Sequence, residues 1–307
     1  MRRPVVWVTE HVHDDALQRL AESADVLGPG EISADERARV DGVVVRSTVV
    51  DRAFMDTLPA LRAIGKHGAG TDTIDVDLAE QRGIRVDRAA GANAESVADL
   101  AVCLALQLLR APDLHDAALR RGRRVPVEQR TGHELGERHC GIAGLGAIGS
   151  AVRRRIEPFG PDITAFDPGL ADEDWPSGVT RAPDMDALLS ACDLVFLHLP
   201  LLPATRHSLD AAALARMPAG SMIVNCARGG IVVEQDLADA LASGHIAGAA
   251  SDVFEHEPPS PENPLFADGL RFIGLPHQGA ATHEGLRRTG LMIADKLLAA
   301  LDQPTDH

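Results

Sequence analysis

The stretch that decides the fold is His139-Cys140-Gly141-Ile142-Ala143-Gly144-Leu145-Gly146-Ala147-Ile148-Gly149. Its first five residues are typical of a buried strand, and residues 151–156 show the spacing of an amphipathic helix. The glycines Gly144, Gly146 and Gly149 therefore lie at a strand-to-helix turn. The first permits the tight turn, the second lets the backbone approach a pyrophosphate, and the third lets the helix pack on its strand. The pattern predicts a dinucleotide site with the phosphates at the helix N-terminus.

A second strand, residues 162–166, ends at Asp167, which lies 23 residues beyond Gly144. This spacing is close to that expected of a carboxylate that accepts hydrogen bonds from ribose hydroxyls. The carboxylate would repel a 2′-phosphate, and Pro168-Gly169 offers no arginine to receive one. NAD is therefore favoured over NADP. The alternatives are a glycine turn that binds no ligand and, for Asp167, a turn residue at a strand end.

Composition limits the class of protein. A chain of 307 residues with 45% hydrophobic and 24% charged residues fits two ordinary globular domains. Its longest apolar stretch, residues 97–109, is shorter than a membrane span, and the N-terminus lacks a signal-peptide core, so we expect a cytoplasmic protein without a membrane partner. The formal net charge of −15 argues against nucleic acid as a partner.

No metal site is predicted. The histidine pairs His11/His13 and His133/His139 have no convincing partner at ligand spacing. The four cysteines are scattered within or beside apolar segments, which indicates buried, reduced thiols: Cys103, Cys140, Cys192 and Cys226.

Short strand-like runs alternate with helical ones from residue 5 onward, which predicts parallel sheets covered by helices. We expect an α/β protein of two Rossmann-like or flavodoxin-like domains with a cleft between them. A long helix, residues 94–110, begins after Asn93, which is placed to cap it and to lead from one domain to the other. The final helix, residues 284–301, returns to the first domain. The expected substrate domain is thus 1–97 plus 283–307, and the NAD-binding domain is 98–282.

Three side chains could carry proton chemistry. Arg228 follows a predicted buried strand at its carboxyl end, where open α/β sheets bind ligands, and its guanidinium can hold two oxygens of a hydroxy acid. His277 follows Leu275-Pro276 at another strand end, and an ordinary imidazole pKa of ~6.5 suits proton exchange at neutral pH. Glu257 would favour the imidazolium. An arginine before two glycines is otherwise more often structural.

These motifs together closely resemble those of the D-isomer-specific 2-hydroxyacid dehydrogenases, near in pattern to D-3-phosphoglycerate dehydrogenases and hydroxypyruvate reductases. The resemblance extends from about residue 43 to residue 298. It is carried by GKHGAGTDTID at 65–75, NAESVADLA at 93–101, GIAGLGAIG at 141–149, LHLPLLPAT at 197–205, NCARGGIVVEQDLADAL at 225–241, SDVFEHEPP at 251–259 and LPHQGAAT at 275–282.

The resemblance implies roles for particular residues. Arg228, Glu257 and His277 would be catalytic. The backbone amides of Ala69 and Gly70 would hold the substrate carboxylate. Arg46, Ser47 and Lys66 would meet the far end of the substrate, with a surface or inter-domain salt bridge as the alternative. The cofactor would be lined by Gly144, Gly146, Ala147, Ile148, Gly149, Asp167, His198, Pro200, Thr205, Cys226, Ala227, Asp252 and Gly279.

The implied function is NAD-dependent hydride transfer between nicotinamide and C2 of a D-2-hydroxy acid or 2-keto acid, with His277 as acid/base. The resemblance also implies a small anionic substrate, a cleft that closes, and a homodimer formed through the NAD-binding domain. Only a short tail follows Leu301, so no serine-sensing regulatory domain is expected. The alternatives are a phosphonate, phosphite or formate-like substrate on the same scaffold, or a non-catalytic NAD(H)-sensing protein.

Overall fold

The computed structural model describes residues 2–303, which form two compact units. One contains the chain up to Ser96 and the chain from Ala280 onward, and the other is Val97–Gly279. The second transition precedes the expected one at residues 282/283 by three residues. The boundary lies earlier because the residues just before the final helix already contact the first unit. Thr282 caps this helix, and its Oγ1 lies 2.8 Å from Oγ of Ser96 in the first unit.

The first unit contains a five-stranded parallel sheet. Its strands are β1 (Val5–Val8), β2 (Asp25–Leu27), β3 (Gly42–Val45), β4 (Ala63–Lys66) and β5 (Arg85–Arg88). The intervening helices are α1 (Asp14–Ala21), α2 (Ala34–Arg37), α3 (Arg52–Asp56) and α4 (Val76–Gln81). The strand order β2-β1-β3-β4-β5 is the flavodoxin-like arrangement. Strands β1, β3 and β4 are buried along their whole length, as expected of a parallel sheet covered on both faces.

The second unit begins with the last fourteen residues of helix α5 (Ala94–Arg110) and contains a seven-stranded parallel sheet. Its strands are β6 (His139–Ala143), β7 (Asp162–Phe166), β8 (Thr180–Arg181), β9 (Leu194–Leu197), β10 (Ser221–Asn225), β11 (Ile246–Ser251) and β12 (Phe272–Gly274). The helices are α5 (Ala94–Arg110), α6 (Pro112–Arg120), α7 (Val127–Arg130), α8 (Ala147–Ile156), α9 (Met185–Ala191), α10 (Ala211–Leu214) and α11 (Glu234–Ala242).

The strand order of this second sheet is β12-β11-β10-β9-β6-β7-β8, so the direction of winding reverses between β9 and β6. Alternate residues of β9 enter two different cores: Leu194 and Phe196 belong to one cluster, Val195 and Leu197 to the other. Both faces of the sheet are therefore covered. Open sheets of this kind bind ligands at the carboxyl ends of strands near such a reversal. The prediction of two parallel-sheet α/β domains is confirmed.

The chain returns to the first unit in helix α12 (His283–Asp302), which packs against α1 and β4. Ile293 and Leu297 of this helix are buried in the core. A Cβ atom on Gly65 of β4 would lie 2.9 Å from Ile293 Cγ1, so the glycine allows the helix to approach the sheet. Within residues 2–303, no helix is both long enough and apolar enough to cross a membrane.

Two local predictions are wrong. Asn93 does not cap α5, because its Oδ1 has no hydrogen-bond partner within the described part of the chain, and the Ala94 amide donates to the Gly91 carbonyl instead. Cys103 is exposed on α5, whereas the other three cysteines are buried, as expected. The thiols of Cys140 and Cys192 have pKa values raised by burial to about 12 and about 11, so both are neutral.

Candidate functional site

The glycine turn after β6 has the geometry that a dinucleotide requires. Gly144 has φ = 93°, and a Cβ there would lie 2.8 Å from the His198 carbonyl oxygen. A Cβ on Gly149 would lie 1.9 Å from the Gly144 carbonyl oxygen, so α8 can pack on its strand only with glycine here. Around Gly146, by contrast, no heavy atom of the described residues other than those of Gly146 and its two chain neighbours lies within 4 Å of the Cβ position. The backbone at Gly146 is therefore uncovered at the position where a pyrophosphate would approach.

The start of α8 is also suited to an anion. Gly146 is the N-cap residue, and no side chain of the described residues caps its helix. The first amides of a ten-residue helix are thus available for hydrogen bonds with negative groups. Gly146 and Ala147 are exposed and Ile148 is half-buried. These residues fit the diphosphate of a dinucleotide.

The Asp167 carboxylate, predicted from its spacing to bind ribose, also accepts two backbone hydrogen bonds. Its Oδ2 accepts a hydrogen bond from the Leu145 amide at 2.8 Å, and its Oδ1 accepts one from the Gly169 amide at 2.9 Å. The carboxylate therefore holds the glycine turn in place. Because an ionised carboxylate offers about four lone-pair positions, it can still accept hydrogen bonds from ribose hydroxyls.

The other predicted cofactor residues follow the carboxyl ends of neighbouring strands. Thr205 closes the loop after β9, because its hydroxyl donates to the Pro200 carbonyl at 2.6 Å and accepts from the Leu202 amide at 2.8 Å. Cys226 and Ala227, directly after β10, are buried, and burial raises the pKa of the Cys226 thiol.

His198 lies beside the glycine turn, and its amide donates to the Ala143 carbonyl at 2.8 Å. Neither of its ring nitrogens has a hydrogen-bond partner among residues 2–303, although both are shielded from solvent. Burial lowers the pKa of His198 to about 3, so the imidazole is neutral.

Arg228 is carried on a rigid turn after β10. The Asn225 side chain accepts a hydrogen bond from the Ala227 amide at 3.0 Å and donates one to the Arg228 carbonyl at 3.1 Å. A Cβ on Gly229 would lie 1.9 Å from the Phe254 carbonyl carbon, so this turn can stack on the peptide after β11 only with glycine. The Arg228 guanidinium is half-buried, and its Nη1 donates to the Ala227 carbonyl at 2.7 Å.

His277 and Glu257 form a hydrogen-bonded pair. The distance from His277 Nδ1 to Glu257 Oε2 is 2.7 Å, and the side chains are 50% and 37% exposed. Burial alone would raise the pKa of Glu257, but hydrogen bonds from His277 and from the Phe254 amide lower it. The hydrogen bond to Glu257 raises the pKa of His277 against the opposing effect of burial. The arrangement favours an imidazolium whose Nε2 is left for proton exchange.

Asp252 supports the turn that carries His277. The carboxylate, only 2% exposed, accepts hydrogen bonds from the amides of Gln278 at 2.8 Å and Gly279 at 2.7 Å. His277 has φ = 54°, a left-handed conformation that few residues other than glycine adopt. Burial raises the pKa of Asp252, although the two amides oppose the shift. The sequence predicted Asp252 as a cofactor contact and did not reveal this supporting role.

The residues predicted to meet the substrate lie in the first unit. Arg46 and Ser47 follow β3, and their amides donate to the Glu10 carboxylate at 2.5 Å and 2.9 Å. The Lys66 ammonium is buried and donates to the Arg46 carbonyl and to Thr73 Oγ1. It thus bonds within its own unit and fixes the loop after β3.

The loop after β4 contains the remaining two predicted substrate residues. Arg88 Nη1 donates to the Ala69 carbonyl at 3.1 Å, and Gly70 follows Ala69 in this half-buried loop. Sequence reasoning missed Arg88, Glu10 and Thr73; Arg88 and Glu10 bond to segments 19 and 36 residues away, and Thr73 bonds to Lys66 across the loop after β4. Among the described residues, no group of three His, Cys, Asp or Glu side chains could hold a metal ion.

Known proteins of similar sequence place the chain in a family. Residues 102–279, more than half of the chain, match the model described as "D-isomer specific 2-hydroxyacid dehydrogenase, NAD binding domain". The chain belongs to the D-isomer specific 2-hydroxyacid dehydrogenase family. The glycine turn, Arg228, Glu257 and His277 all lie within the NAD-binding domain of this dehydrogenase family, and the prediction of NAD as the cofactor is confirmed.

Relatives within the dehydrogenase family differ in their substrates. D-3-phosphoglycerate dehydrogenase of Methanocaldococcus jannaschii is 38% identical over 303 residues, 96% of this chain and 57% of that protein. (S)-Sulfolactate dehydrogenase of Chromohalobacter salexigens is 36% identical over 307 residues, 96% of this chain and 98% of that protein. The chain therefore spans little more than half of the first relative and nearly all of the second.

Solved structures of the family share the fold. The NADPH-dependent glyoxylate/hydroxypyruvate reductase of Sinorhizobium meliloti has a TM-score of 0.84 and 30% sequence identity, covering 98% of this chain and 95% of that one. Two parallel-sheet α/β units are therefore common to this chain and to a reductase of known structure.

Proposed function

We propose that this protein is an NAD-dependent oxidoreductase that interconverts a D-2-hydroxy acid and its 2-keto acid, with His277 as the acid/base. The observation that carries the proposal is the 2.7 Å pair of His277 Nδ1 and Glu257 Oε2, in the same unit as Arg228 and the glycine turn. Arg228, Glu257 and His277 follow strands β10, β11 and β12 at their carboxyl ends. These strands are neighbours in one parallel sheet.

His277 moves the proton. When bound, NAD supplies or accepts the hydride at C2 of the substrate. In keto-acid reduction, the imidazolium donates the Nε2 proton to the keto oxygen, and the negative Glu257 stabilises the charged ring beforehand. In hydroxy-acid oxidation, the neutral imidazole accepts the hydroxyl proton at Nε2. Because the pKa of His277 is raised, a larger fraction of its imidazole carries the proton that keto-acid reduction requires than in an ordinary histidine at the same pH.

Arg228 orients the substrate and stabilises developing charge. Its guanidinium is a planar fork of N–H donors, and Nη1 donates to the Ala227 carbonyl. A guanidinium of this geometry can hold a carboxylate oxygen together with the C2 oxygen of the substrate. As negative charge develops on that oxygen, a fixed cation close to it lowers the barrier.

The substrate is proposed to be a small acid with a polar or anionic group beyond C2, such as a phosphoglycerate- or hydroxypyruvate-like molecule. Phosphoglycerate, sulfolactate and hydroxypyruvate, the molecules in the names of three relatives, belong to this chemical class. In the first unit, Ala69 and Gly70 would bind the carboxylate through their amides. The Arg46 guanidinium donates no hydrogen bond within residues 2–303 and would bind the far group, with Ser47 beside it and Lys66 fixing their loop.

The test is oxidation of NADH with a panel of 2-keto acids: hydroxypyruvate, glyoxylate, phosphohydroxypyruvate, sulfopyruvate and a phosphonate analogue. His277→Ala should lower kcat by about 10²- to 10⁴-fold, the usual contribution of a positioned acid/base. His139→Ala, which removes an imidazole that is 63% exposed at the amino end of β6, is the matched control. Equal rates for His277→Ala and wild type would refute the assigned role. Tight NADH binding without turnover across the panel would favour a sensing protein.

A homodimer formed through the NAD-binding domain is also proposed. Within the described chain, neither α6 nor α7 has a buried residue, and the segment exposes Leu114, Leu119 and Val127. Exposed apolar side chains in one short segment are typical of a subunit contact. Light scattering after gel filtration should give a dimer for wild type and a monomer for Leu119→Glu, with Phe159→Glu, also exposed in this unit, as the control. A monomeric wild type would refute the proposal.

A further inference from the structure

A second histidine–carboxylate pair, His207 and Glu255, lies in the same unit as the pair of His277 and Glu257. His207 Nε2 is 2.9 Å from Glu255 Oε1, and Arg206 Nη1 is 3.3 Å from the same oxygen. The His207 and Glu255 side chains are 43% and 30% exposed, so neither is isolated from water. The hydrogen bond from His207 lowers the pKa of Glu255, which keeps this carboxylate ionised.

The backbone of His207 is attached to the turn that carries Arg228. Its amide donates to the Gly230 carbonyl at 2.8 Å, and the Leu209 amide donates to the Ile231 carbonyl at 3.1 Å. His207 itself has φ = 53°, which few residues other than glycine adopt, so its surroundings hold it in this conformation. The segment therefore follows any movement of the Arg228 turn.

Glu255 belongs to the loop that carries Glu257. Its amide donates to Glu234 Oε1 at 2.9 Å, and Glu234 Oε2 accepts from Asn263 Nδ2 at 2.7 Å. The peptide joining Phe254 to Glu255 lies directly against Gly229, where a Cβ would lie 2.3 Å from the Glu255 nitrogen. Glu255 is thus hydrogen-bonded to two separate segments of the second unit, residues 206–207 and Glu234.

We propose that His207 and Glu255 are positioning residues of the dehydrogenase site: their side-chain pair clamps the Arg228 turn to the loop of Glu257. The clamp sets the distance between the group that orients the substrate and the carboxylate that holds His277. The inference rests on the proposed function of Arg228, Glu257 and His277. It assigns work to two residues that have no contact with the reacting atoms.

The experiment compares His207→Asn, Glu255→Ala and Glu255→Gln in the full chain. Asparagine tolerates the left-handed backbone and keeps the amide to Gly230, but it is too short to reach Glu255. Glutamine keeps an oxygen that can accept from His207, so it should rescue the pair. His207→Asn and Glu255→Ala should each lower kcat about tenfold, because small misplacements of catalytic groups are costly. The double variant should be no worse than Glu255→Ala, because the two residues act as one unit.

The decisive readout is the pKa of His277, measured by NMR titration of its imidazole. Loosening the Glu257 loop lengthens the bond that raises this pKa, so the pKa should fall in His207→Asn and Glu255→Ala and be restored in Glu255→Gln. His139→Asn and Asp162→Ala, which break a 3.4 Å pair at the amino ends of β6 and β7, should leave it unchanged.

An unchanged His277 pKa in both disruptive variants would overturn the positioning role, whatever happens to kcat, because a purely structural pair alters folding stability without altering this titration. The NMR measurement needs no substrate. If wild type turned over no keto acid, the proposed function would fail while the clamp would still be tested.

Discussion

Replacing Asp252 by asparagine should damage the site more than its distance from the reacting atoms suggests. Both carboxylate oxygens accept backbone amides, from Gln278 at 2.8 Å and Gly279 at 2.7 Å. Asparagine has one oxygen and one NH₂ group, so it must present a donor to one of the two amides. A buried amide left without an acceptor costs about 1–3 kcal/mol. Relief of the buried charge offsets part of this cost, since burial raises the pKa of Asp252.

The larger effect should be on catalysis. Without both amide bonds, the left-handed backbone of His277 loses its support, and the Nε2 proton is no longer aimed at the substrate. A displacement near 1 Å costs about 10²-fold in rate. We therefore expect Asp252→Asn to lower kcat for keto-acid reduction about 10²-fold and the free energy of unfolding by about 1–3 kcal/mol.

The assay is steady-state kinetics with denaturant unfolding of the same preparation. Asp236→Asn is the matched control, because its Oδ2 accepts a single amide, that of Ala211 at 2.8 Å, and asparagine retains that acceptor. A kcat for Asp252→Asn within about twofold of wild type would refute the reasoning, since two-fold changes lie below the effect of one lost hydrogen bond.

Two further predictions concern the same unit. Reduction needs protonated His277, so kcat/KM for a keto acid should fall as the pH rises through the raised pKa of His277. Glu257→Gln should move that fall to lower pH, because the negative charge beside the imidazole is gone and burial then lowers the pKa of His277. A pH profile of Glu257→Gln that matches that of wild type would contradict the proposed role of the His277–Glu257 pair. Asp167→Ala should raise KM for NADH about tenfold, because it leaves the Leu145 amide of the glycine turn without its acceptor. It should also reduce the preference for NADH over NADPH, because it removes the charge that repels a 2′-phosphate. Asp172→Ala, which removes an exposed acid of the same unit, is the control, and an unchanged preference for NADH over NADPH in Asp167→Ala would contradict the role of Asp167.

Much of the fold could be predicted because it depends on neighbours in the chain. The strand His139–Ala143 and the capping box of Ser33 and Glu36 are formed by residues within a few positions of each other. Helix α8 begins at Ala147, four residues before the periodic apolar pattern begins. The predicted Asn93 cap was wrong, because the Ala94 amide at the start of this helix donates to the Gly91 carbonyl instead.

The residues of the proposed site were predicted from the sequence, but the residues that hold them in place were not. Arg228 and His277 were predicted as candidates because ligands bind at the carboxyl ends of strands in a parallel sheet, and the structure joins Glu257 to His277 by a hydrogen bond. Asp252 reaches across 26 residues to Gln278, and His207 reaches across 48 residues to Glu255. No periodicity or motif spacing encodes such pairs. The exposure of Cys103 was missed for the same reason, because burial depends on what the rest of the chain covers.

The sequence by itself determined the glycine turn, the alternation of strands and helices, and the chemistry of three side chains, because backbone freedom and side-chain type are properties of single residues and their neighbours. Only the tertiary structure decided which groups hold these residues still. Asp167, predicted as a ribose-binding carboxylate, also fixes the glycine turn, and Asp252 supports the backbone that follows His277. Such contacts exist only after distant segments have packed, since a hydrogen bond requires two atoms within about 3 Å of each other.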